Sequence, residues 1–427
     1  MNMALPDLSS ATAGGRGSSA QQQQAQWSSL LASGGLPAIT SGPRRIGSLW
    51  AGYGEVLELQ AGKHRLVAKR VAPPSGDGGD GEDVGHARKL RSYKVEAAFY
   101  RHYAPELLAD AQHGGPAEGC RIARPYLIKS EGDDATEEEG GGDGNGMVLL
   151  LEDLRQQWPN QPRKYGEEEA KRVLEWLAAF HATFFESAEV ASAAAEAAAA
   201  TTRRQQHKPA TPEPDDSDPH VPPLLWGSGC YWHLSTRLEE LESARREGGE
   251  WKSLVAAARD VDDALRGFGR GRRRFGTILH GDAKAANFMF AVGAAGEKGG
   301  SAVAGYDFQY VGGGYGPRDV AYLLCSSVDE RVLSAAGGED RLLEHYRDAL
   351  LAALSKRRRG GERKKDEDPY PLEALRRHFE LSLVDLCRFM TGWGWWGASR
   401  WAQQRAREIV ARLPEVLEAE RRSALAE

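Results

Sequence analysis

The chain has 427 residues and is 41% hydrophobic, which is enough for two domains, or for one domain of two lobes, with a sizeable core. Its net charge of −6 and pI of about 6.1 argue against a general nucleic-acid binder, whose surface would be basic. The four cysteines form no C-x-x-C pair, which excludes a disulfide framework or zinc site and favours a reducing compartment. No run reaches the roughly 18 apolar residues that span a bilayer. We therefore expect a cytoplasmic protein, with organellar targeting by the N-terminal tail as the alternative.

The N-terminal part of the chain predicts a disordered tail over residues 1–45 and then a β-rich lobe over residues 46–154. Alternating apolar and polar residues indicate a hairpin at the start of this lobe. An acidic, Gly-rich insertion at residues 130–146 interrupts its second half. The predicted elements are, in chain order, strands at 54–59 and 64–71, a helix at 86–103, and strands at 121–129 and 147–151.

The remainder, residues 155–427, predicts a helical lobe with a low-complexity insertion at residues 188–223. Two short apolar strands are expected within residues 277–310, around a Gly-rich tip. The predicted helices cover residues 167–186, 234–247, 250–268, 317–328, 338–354, 370–391 and 400–424. A strand-rich part followed by a helical part predicts an α+β fold of two lobes around a cleft.

The segment from Ile278 to Phe290 carries the strongest chemical signal. It places Asp282, Lys284 and Asn287 at offsets of two and five, and Asp307 follows after a short return. Phosphoryl transfer from a nucleoside triphosphate needs such a set. Asp282 and Lys284 are the two predicted catalytic residues. Asp282 would accept or orient the proton of the substrate hydroxyl, and Lys284 would neutralise the charge of the transferring phosphate. Asn287 and Asp307 would bind Mg²⁺; turn chemistry is the alternative for any one of these residues, but not for the spaced set.

The first lobe supplies candidate phosphate-binding residues. Lys69 lies on a predicted strand and is placed to reach the α- and β-phosphates, and Glu96 on the next helix would hold it as an ion pair. Gly52 and Gly54 lie in a turn whose backbone amides would approach phosphate oxygens. The same Gly-x-Gly pattern also describes many hairpins, so both interpretations of the turn stay open.

The motif His280-Gly-Asp-Ala-Lys-Ala-Ala-Asn287 with Asp307-Phe-Gln resembles the catalytic and metal-binding loops of the protein-kinase-like superfamily. The resemblance is to its small-molecule branch: choline and ethanolamine kinases, aminoglycoside phosphotransferases and the ecdysteroid kinase-like (CHK kinase-like) proteins. With segments such as Gly316-Pro-Arg-Asp319, it covers roughly residues 46–415 outside the insertions.

The resemblance implies a two-lobed protein-kinase-like fold, ATP as donor, Mg²⁺ as cofactor and a small molecule with a hydroxyl as acceptor. It also implies that residues 148–154 form a hinge that receives adenine through backbone groups, with Glu152 and Leu154 as cofactor-binding residues. Gln309 replaces the glycine of the protein-kinase Asp-Phe-Gly motif, and no Ala-Pro-Glu segment follows. These departures argue against a protein kinase.

The sequence therefore predicts an ATP-dependent phosphotransferase that acts on a small molecule. The alternatives are a catalytically inactive nucleotide-binding pseudokinase or scaffold and, less favoured, a protein kinase. Aromatic residues near Asp319 and Asp385 would suit a quaternary ammonium acceptor such as choline, although helix packing is the favoured role of these tryptophans. They are Trp393, Trp395, Trp396 and Trp401. We expect His280 to brace its loop and His181 to be a packed core residue; the acceptor and oligomeric state stay open.

Overall fold

A computed structural model describes residues 20–73, 84–130, 146–187, 225–267, 274–292, 302–357 and 368–425. The chain divides into two compact units. Unit 1 comprises Met1–Ala104 and Ala123–Gln156, and unit 2 comprises Pro105–Ile122 and Gln157–Glu427. The predicted lobes, 46–154 and 155–427, assigned residues 105–122 to the first lobe, whereas the structure groups them with the second.

Unit 1 is built on a five-stranded antiparallel sheet. Its strands are β1 (Ile39–Ser48), β2 (Gly54–Ala61), β3 (His64–Val71), β5 (Pro125–Ser130) and β6 (Met147–Glu152). They lie in the order β1-β2-β3-β6-β5, and β2 and β3 form the expected hairpin. The strands of unit 1 alternate between two faces, and Leu66 and Ala68 of β3 lie on one face.

Helix α1 (Ala20–Ser33) covers that face of the sheet. Trp27 and Leu31 are 2% and 0% exposed and pack with Leu57 and Leu66. This differs from the disordered tail that we predicted over residues 1–45, because a few apolar side chains anchor an otherwise polar helix. Residues 1–19 lie outside the described residues.

Helix α2 (Val84–Ala98) supplies the partner of Lys69, which alternates with Ala68 and so points away from the α1 face. A π-helical turn, Phe99–Tyr103, connects α2 to α3 (Ala104–Gln112). The predicted helix at residues 86–103 therefore corresponds to α2 and this turn.

Unit 2 is mostly helical. Helix α4 packs against α10, and α11 packs against α5, α8 and α12. After α3, its helices are α4 (Glu167–Thr183), α5 (Leu238–Glu247), α6 (Lys252–Ala256), α7 (Ala258–Leu265), α8 (Pro317–Ser327), α9 (Glu330–Ser334), α10 (Gly338–Lys356), α11 (Leu372–Trp393), α12 (Ser399–Val410) and α13 (Leu413–Leu425). The predicted α+β class, with an N-terminal sheet followed by a mostly helical part, is confirmed.

Several predicted elements of the chain are divided in the structure; the helix expected at residues 250–268, for example, forms α6 and α7. The strand expected at residues 121–129 forms β4 (Arg121–Ile122) and β5, because β4 pairs in parallel with β9 of unit 2. The helix expected at residues 400–424 ends at Val410 and resumes at Leu413. Pro414 explains this break, since it has no N–H to donate to the carbonyl of Val410.

Short strands in unit 2 surround the motif segment. Strand β7 (Gly276–Leu279) pairs antiparallel with β10 (Gly312–Tyr315), and β8 (Phe288–Phe290) pairs antiparallel with β9 (Val303–Gly305). The Gly-rich tip at residues 293–300, the insertion at 188–223 and most of the insertion at 130–146 lie outside the described residues. Within the described residues, no helix has the length and hydropathy needed to cross a bilayer.

Candidate active site

The loop that carries Asp282 begins where β7 ends and closes in a 3-10 turn, Ala285–Asn287, which leads directly into β8. Gly281 has a φ of +80°, and a Cβ at this position would lie 1.9 Å from the carbonyl oxygen of Tyr310. Only glycine meets both requirements. The strand pairing and this close approach of two backbone segments together fix where Asp282 lies.

The two carboxylate oxygens of Asp282 differ in their hydrogen bonds. Oδ2 accepts hydrogen bonds from Lys284 Nζ at 2.8 Å and from Asn287 Nδ2 at 3.0 Å. Oδ1 is buried and makes no hydrogen bond of ordinary geometry within the described part of the chain, although the hydroxyl of Tyr322 lies close enough to interact with this carboxylate. Burial raises the pKa of Asp282; Lys284 opposes this shift, and the charge of Asp307 adds to it. A buried carboxylate oxygen that makes no ordinary hydrogen bond is suited to accept a hydrogen bond or a proton from a ligand.

Asn287 and Lys284 are oriented by Asp282. Asn287 Nδ2 also donates to the backbone oxygen of Asp282 at 2.8 Å. Because the amide nitrogen is used in these bonds, the amide oxygen is the atom with which Asn287 would bind a cation. Burial disfavours the charged form of Lys284, but Asp282 outweighs it, so the pKa of Lys284 is raised and the side chain is cationic at neutral pH.

Asp307 follows β9 in a left-handed backbone conformation, with a φ of +68°. Positive φ is uncommon for a residue other than glycine and often marks a functional position. Its negative charge raises the pKa of both Asp282 and Lys284, so the structure brings Asp307 into the same electrostatic environment. The buried ring of Phe308 lies 5.0 Å from that of His280 and holds this segment beside the Asp282 loop.

His280 braces the loop from its interior, as expected. Its Nε2 lies 3.1 Å from the carbonyl oxygen of Tyr306, to which it donates, and its Nδ1 accepts from the backbone N–H of Asp282 at 3.3 Å. These two bonds select the neutral ring. Burial lowers the pKa of His280, which favours the same form.

Asp319 is a site residue whose role sequence reasoning missed. Its carboxylate accepts hydrogen bonds from the backbone N–H groups of His280 at 2.6 Å and Gly281 at 3.0 Å. His181 Nε2 lies 3.1 Å from the same carboxylate, and its Nδ1 lies 2.8 Å from the hydroxyl of Tyr346. Asp319 therefore supports the loop and is not a binding group for a cationic acceptor, the role considered for it above.

The oxygen atoms around Asp282 fit a hard divalent cation. Magnesium prefers oxygen ligands, keeps several waters and is held by one or two carboxylates together with substrate phosphates. The carboxylate of Asp307 and the amide oxygen of Asn287 are ligands of this kind. Within the described ranges, no group of three or more His, Cys, Asp or Glu side chains forms a metal site. Two ligands, from Asp307 and Asn287, therefore suit a metal ion that is bound together with a nucleotide better than an ion that is held by protein side chains alone.

In unit 1, Lys69 and Glu96 form the expected ion pair. Lys69 Nζ lies 2.5 Å from Glu96 Oε2, and the two residues are 9% and 2% exposed. Lys69 Nζ also lies 5.5 Å from the centroid of the Tyr93 ring, a cation–π contact. The lysine is thereby held in one position on the sheet.

Gly52 and Gly54 lie at the turn between β1 and β2. Gly52 ends a 3-10 turn, Trp50–Gly52, and Gly54 begins β2. Gly54 has a φ of +140°, and a Cβ there would lie 2.0 Å from the carbonyl oxygen of Arg70. The close approach to β3 is therefore sufficient to explain Gly54, and its contact with phosphate stays a prediction.

Glu152 and Leu154 lie at the end of β6. The N–H of Glu152 donates to the carbonyl oxygen of Arg124 at 2.9 Å, so this group is already used within the sheet. Leu154 begins a 3-10 turn, Leu154–Gln156, and its side chain is buried. The contribution of both residues to an adenine hinge stays a prediction, and the N–H of Glu152 is a poor candidate for it.

The tryptophans of the C-terminal part differ in burial and in their ring contacts. Trp393 and Trp396 both contact Phe389. Trp401 is 5% exposed, whereas Trp393 is 57% exposed. The ring of Trp395 lies 5.4 Å from that of Trp251. Asp385, the other carboxylate considered for a cationic acceptor, is buried between Arg318 at 2.6 Å and Arg388 at 2.8 Å. Its charge is therefore already compensated.

Comparison with solved structures gives matches of low identity. An aminopropanol kinase associated with a microcompartment is 12% identical, with a TM-score of 0.41, and covers 88% of this chain and 94% of its own. A choline kinase from Streptococcus pneumoniae is 12% identical, with a TM-score of 0.39 and coverages of 93% and 98%. An amicoumacin kinase in complex with AMP-PNP and Ca²⁺ is 14% identical, with a TM-score of 0.40 and coverages of 92% and 93%. Similarity at these TM-scores adds nothing to a family assignment.

The sequence itself provides the assignment. No curated protein matches it significantly. A family model described as the ecdysteroid kinase-like family matches residues 79–358, well over half of the chain. The matched range contains Glu96, Asp282, Asn287 and Asp307. The chain therefore belongs to the ecdysteroid kinase-like family.

Proposed function

We propose that this protein transfers the γ-phosphate of ATP to a hydroxyl group of a small molecule. One observation carries the proposal: Asp282 is a buried carboxylate with one oxygen fixed by Lys284 and Asn287, whereas the other makes no hydrogen bond of ordinary geometry among the described residues. An attacking hydroxyl needs such an acceptor, positioned before it arrives. Membership of a kinase-like family agrees with this chemistry.

The residues of unit 2 would divide the work of the transfer. Asp282 Oδ1 would accept the hydrogen bond of the acceptor hydroxyl and take its proton as that oxygen bonds to the γ-phosphorus and the bond from the γ-phosphorus to ADP breaks. Lys284 would offset the charge of the transferring phosphoryl group. Asn287 and Asp307 would hold Mg²⁺, which neutralises phosphate charge when bound. The hydrogen bonds that the loop N–H groups donate to Asp319 would keep Asp282 in place throughout.

The residues of unit 1 would bind the nucleotide. Lys69, fixed by Glu96 at 2.5 Å, would bind the α- and β-phosphates. The turn with Gly52 and Gly54 would cover the phosphates with backbone N–H groups. The end of β6, including Leu154, would receive the adenine ring.

The substitution Asp282→Asn tests the proposal. It keeps the size of the side chain but removes the proton acceptor, so we expect transfer to fall by about 10²–10⁴-fold while ATP still binds. An acceptor screen with choline, ethanolamine, aminoglycosides, sterols and sugars, read out by product mass, measures the transfer. Asp348→Asn is the matched control, because that side chain is 78% exposed.

Two outcomes would contradict the proposal. Full activity of the Asp282→Asn variant would show that Asp282 is not the proton acceptor in phosphate transfer. Mg²⁺-dependent ATP binding by the wild-type protein, without transfer to any acceptor in the screen, would instead favour the inactive nucleotide-binding alternative.

A further inference from the structure

Aromatic side chains extend from the Asp282 loop to the surface of unit 2. The N–H of Tyr231 donates to the carbonyl oxygen of Gly281 at 3.2 Å, which places Tyr231 beside the residue before Asp282. The Tyr231 ring lies 5.6 Å from that of Phe389, which stacks on Trp393 at 5.6 Å. Trp393 is 57% exposed, so this row of rings reaches solvent.

The faces of these rings are already occupied by a cation. The guanidinium carbon of Arg237 lies 5.6 Å from the centroid of Tyr231, 5.3 Å from that of Phe389 and 5.7 Å from that of Trp393. Arg237 is 5% exposed, and its Nε donates to the carbonyl oxygen of Tyr231 at 2.7 Å. These contacts hold the guanidinium in one place.

The carboxylate that balances the charge of Arg237 is Glu240. Arg237 Nη1 lies 3.2 Å from Glu240 Oε1, and both side chains are largely buried. Asp319 and Asp385, which would otherwise attract a cationic ligand, bind the Asp282 loop and two arginines, respectively. The charge of Asp282 acts on Tyr231, at the inner end of the row. A positively charged group further along the row would therefore meet the fixed like charge of Arg237 over Phe389 and Trp393.

We propose that Arg237 is a specificity-determining residue that rejects cationic acceptors, so that the acceptor is an alcohol without a positive charge. This inference rests on the proposed phosphotransferase function and defines its acceptor class. Like charges in a partly desolvated site repel strongly, and Glu240 offsets part of that repulsion. We expect an uncharged alcohol to bind on the order of tenfold more tightly than a cationic alcohol of the same shape.

A matched pair of probes tests this directly. Choline and 3,3-dimethylbutan-1-ol have the same shape and hydroxyl group and differ only in the positive charge. Their dissociation constants are measured by ligand-observed NMR titration of the full chain, which does not depend on phosphate transfer. We expect the wild-type protein to favour the uncharged probe about tenfold, Arg237→Gln to bring the ratio near one, and Arg237→Lys to retain the preference.

Glu240→Gln provides a test that leaves Arg237 in place. Loss of the counter-charge should increase the preference for the uncharged probe, whereas a purely structural role of the ion pair would leave the ratio unchanged. Thermal unfolding of each variant checks that it is folded. Three results would overturn the inference. They are equal affinity of the wild-type protein for both probes, the same ratio of dissociation constants in the wild-type protein and all variants, and no saturable binding of either probe. Failure of the proposed function would instead appear as absent phosphate transfer with the binding ratio intact.

Discussion

The carboxylate of Asp319 accepts a hydrogen bond from the backbone N–H of Gly281 at 3.0 Å, and Gly281 directly precedes Asp282. Asp319 is fully buried at the start of α8. Because β7 ends at Leu279, the loop has no further strand pairing at this point. The position of Asp282 therefore depends on a buried carboxylate that binds the backbone of the loop.

Replacing Asp319 should lower both activity and stability. Both carboxylate oxygens of Asp319 accept hydrogen bonds from backbone N–H groups. In Asp319→Asn, one of these oxygens becomes an NH₂ group, which cannot accept, so a buried backbone N–H loses its partner. We expect the free energy of unfolding to fall by about 1–3 kcal/mol. The displaced Asp282 should lower kcat by about 10²-fold. Chemical denaturation and steady-state kinetics measure the two effects.

The control for Asp319→Asn is Asp340→Asn on the exposed face of α10. The Asp340 side chain is 58% exposed. Its substitution should change stability by less than about 0.5 kcal/mol. A folded Asp319→Asn protein with the kcat of wild type would show that the loop does not need this support.

Removing Lys284 should shift the pH dependence of catalysis. Lys284 lowers the pKa of Asp282, so in Lys284→Met that pKa should rise further. In its proposed role Asp282 would accept the proton of the substrate only when it is deprotonated, so the acidic limb of the kcat/KM profile should move to higher pH. Lys284→Arg keeps the charge and should leave the limb near its original position.

Lys171→Met controls for the loss of a lysine in unit 2, since Lys171 pairs with Glu167 and Glu168 on α4. Its acidic limb should coincide with that of the wild-type protein. An unshifted limb in Lys284→Met would mean that Asp282 is not the titrating group.

The Lys69–Glu96 pair allows stability to be separated from function. Lys69→Met should lower the free energy of unfolding by about 3–5 kcal/mol, because it removes the cation that lies 2.5 Å from the buried Glu96 carboxylate. Adding Glu96→Met removes that carboxylate and should restore most of the loss. Both proteins should nevertheless fail to transfer phosphate, since neither has a cation for the α- and β-phosphates. Recovery of transfer in the double variant would exclude Lys69 from nucleotide binding.

Helix α1 should contribute measurably to the stability of unit 1. Trp27→Ala removes a buried ring that packs on the sheet, and we expect a loss of about 3–5 kcal/mol in equilibrium unfolding. Trp50→Ala is a matched control, since Trp50 is 74% exposed and should cost far less. A loss in Trp27→Ala no larger than in Trp50→Ala would mean that α1 packs only weakly.

Residues close together in the sequence were the most predictable part of the site. Asp282, Lys284 and Asn287 lie within one turn of backbone, so their offsets alone bring their side chains together. Lys69 and Glu96 were predictable because a strand followed by a helix places both on neighbouring elements. The remaining features depend on long-range packing. Nothing near Asp319 in the sequence indicates that its partners are the N–H groups before Asp282.

Two further features, helix α1 and the aromatic contacts of Arg237, could not be predicted from sequence patterns. Helix α1 was missed because Ser, Ala and Gln dominate its composition and only a few residues, such as Trp27 and Leu31, face the sheet. Arg237 was missed because its aromatic partners are far apart in the sequence: Tyr231 precedes α5, whereas Phe389 and Trp393 lie on α11. Only the packing of α5 on α11 brings them together.

The placement of β4 also has a consequence for synthesis on the ribosome. Residues 105–122 are made early but belong to unit 2, and β4 pairs with β9, Val303–Gly305, which is made much later. All strands of the unit 1 sheet are complete once Gln156 has emerged, so unit 1 can form first. A nascent chain that stops before Val303 lacks the strand that pairs with both β4 and β8. Until translation passes that point, the loop with Asp282 has been made but lacks β9, and Asp319, which binds its backbone, comes later still.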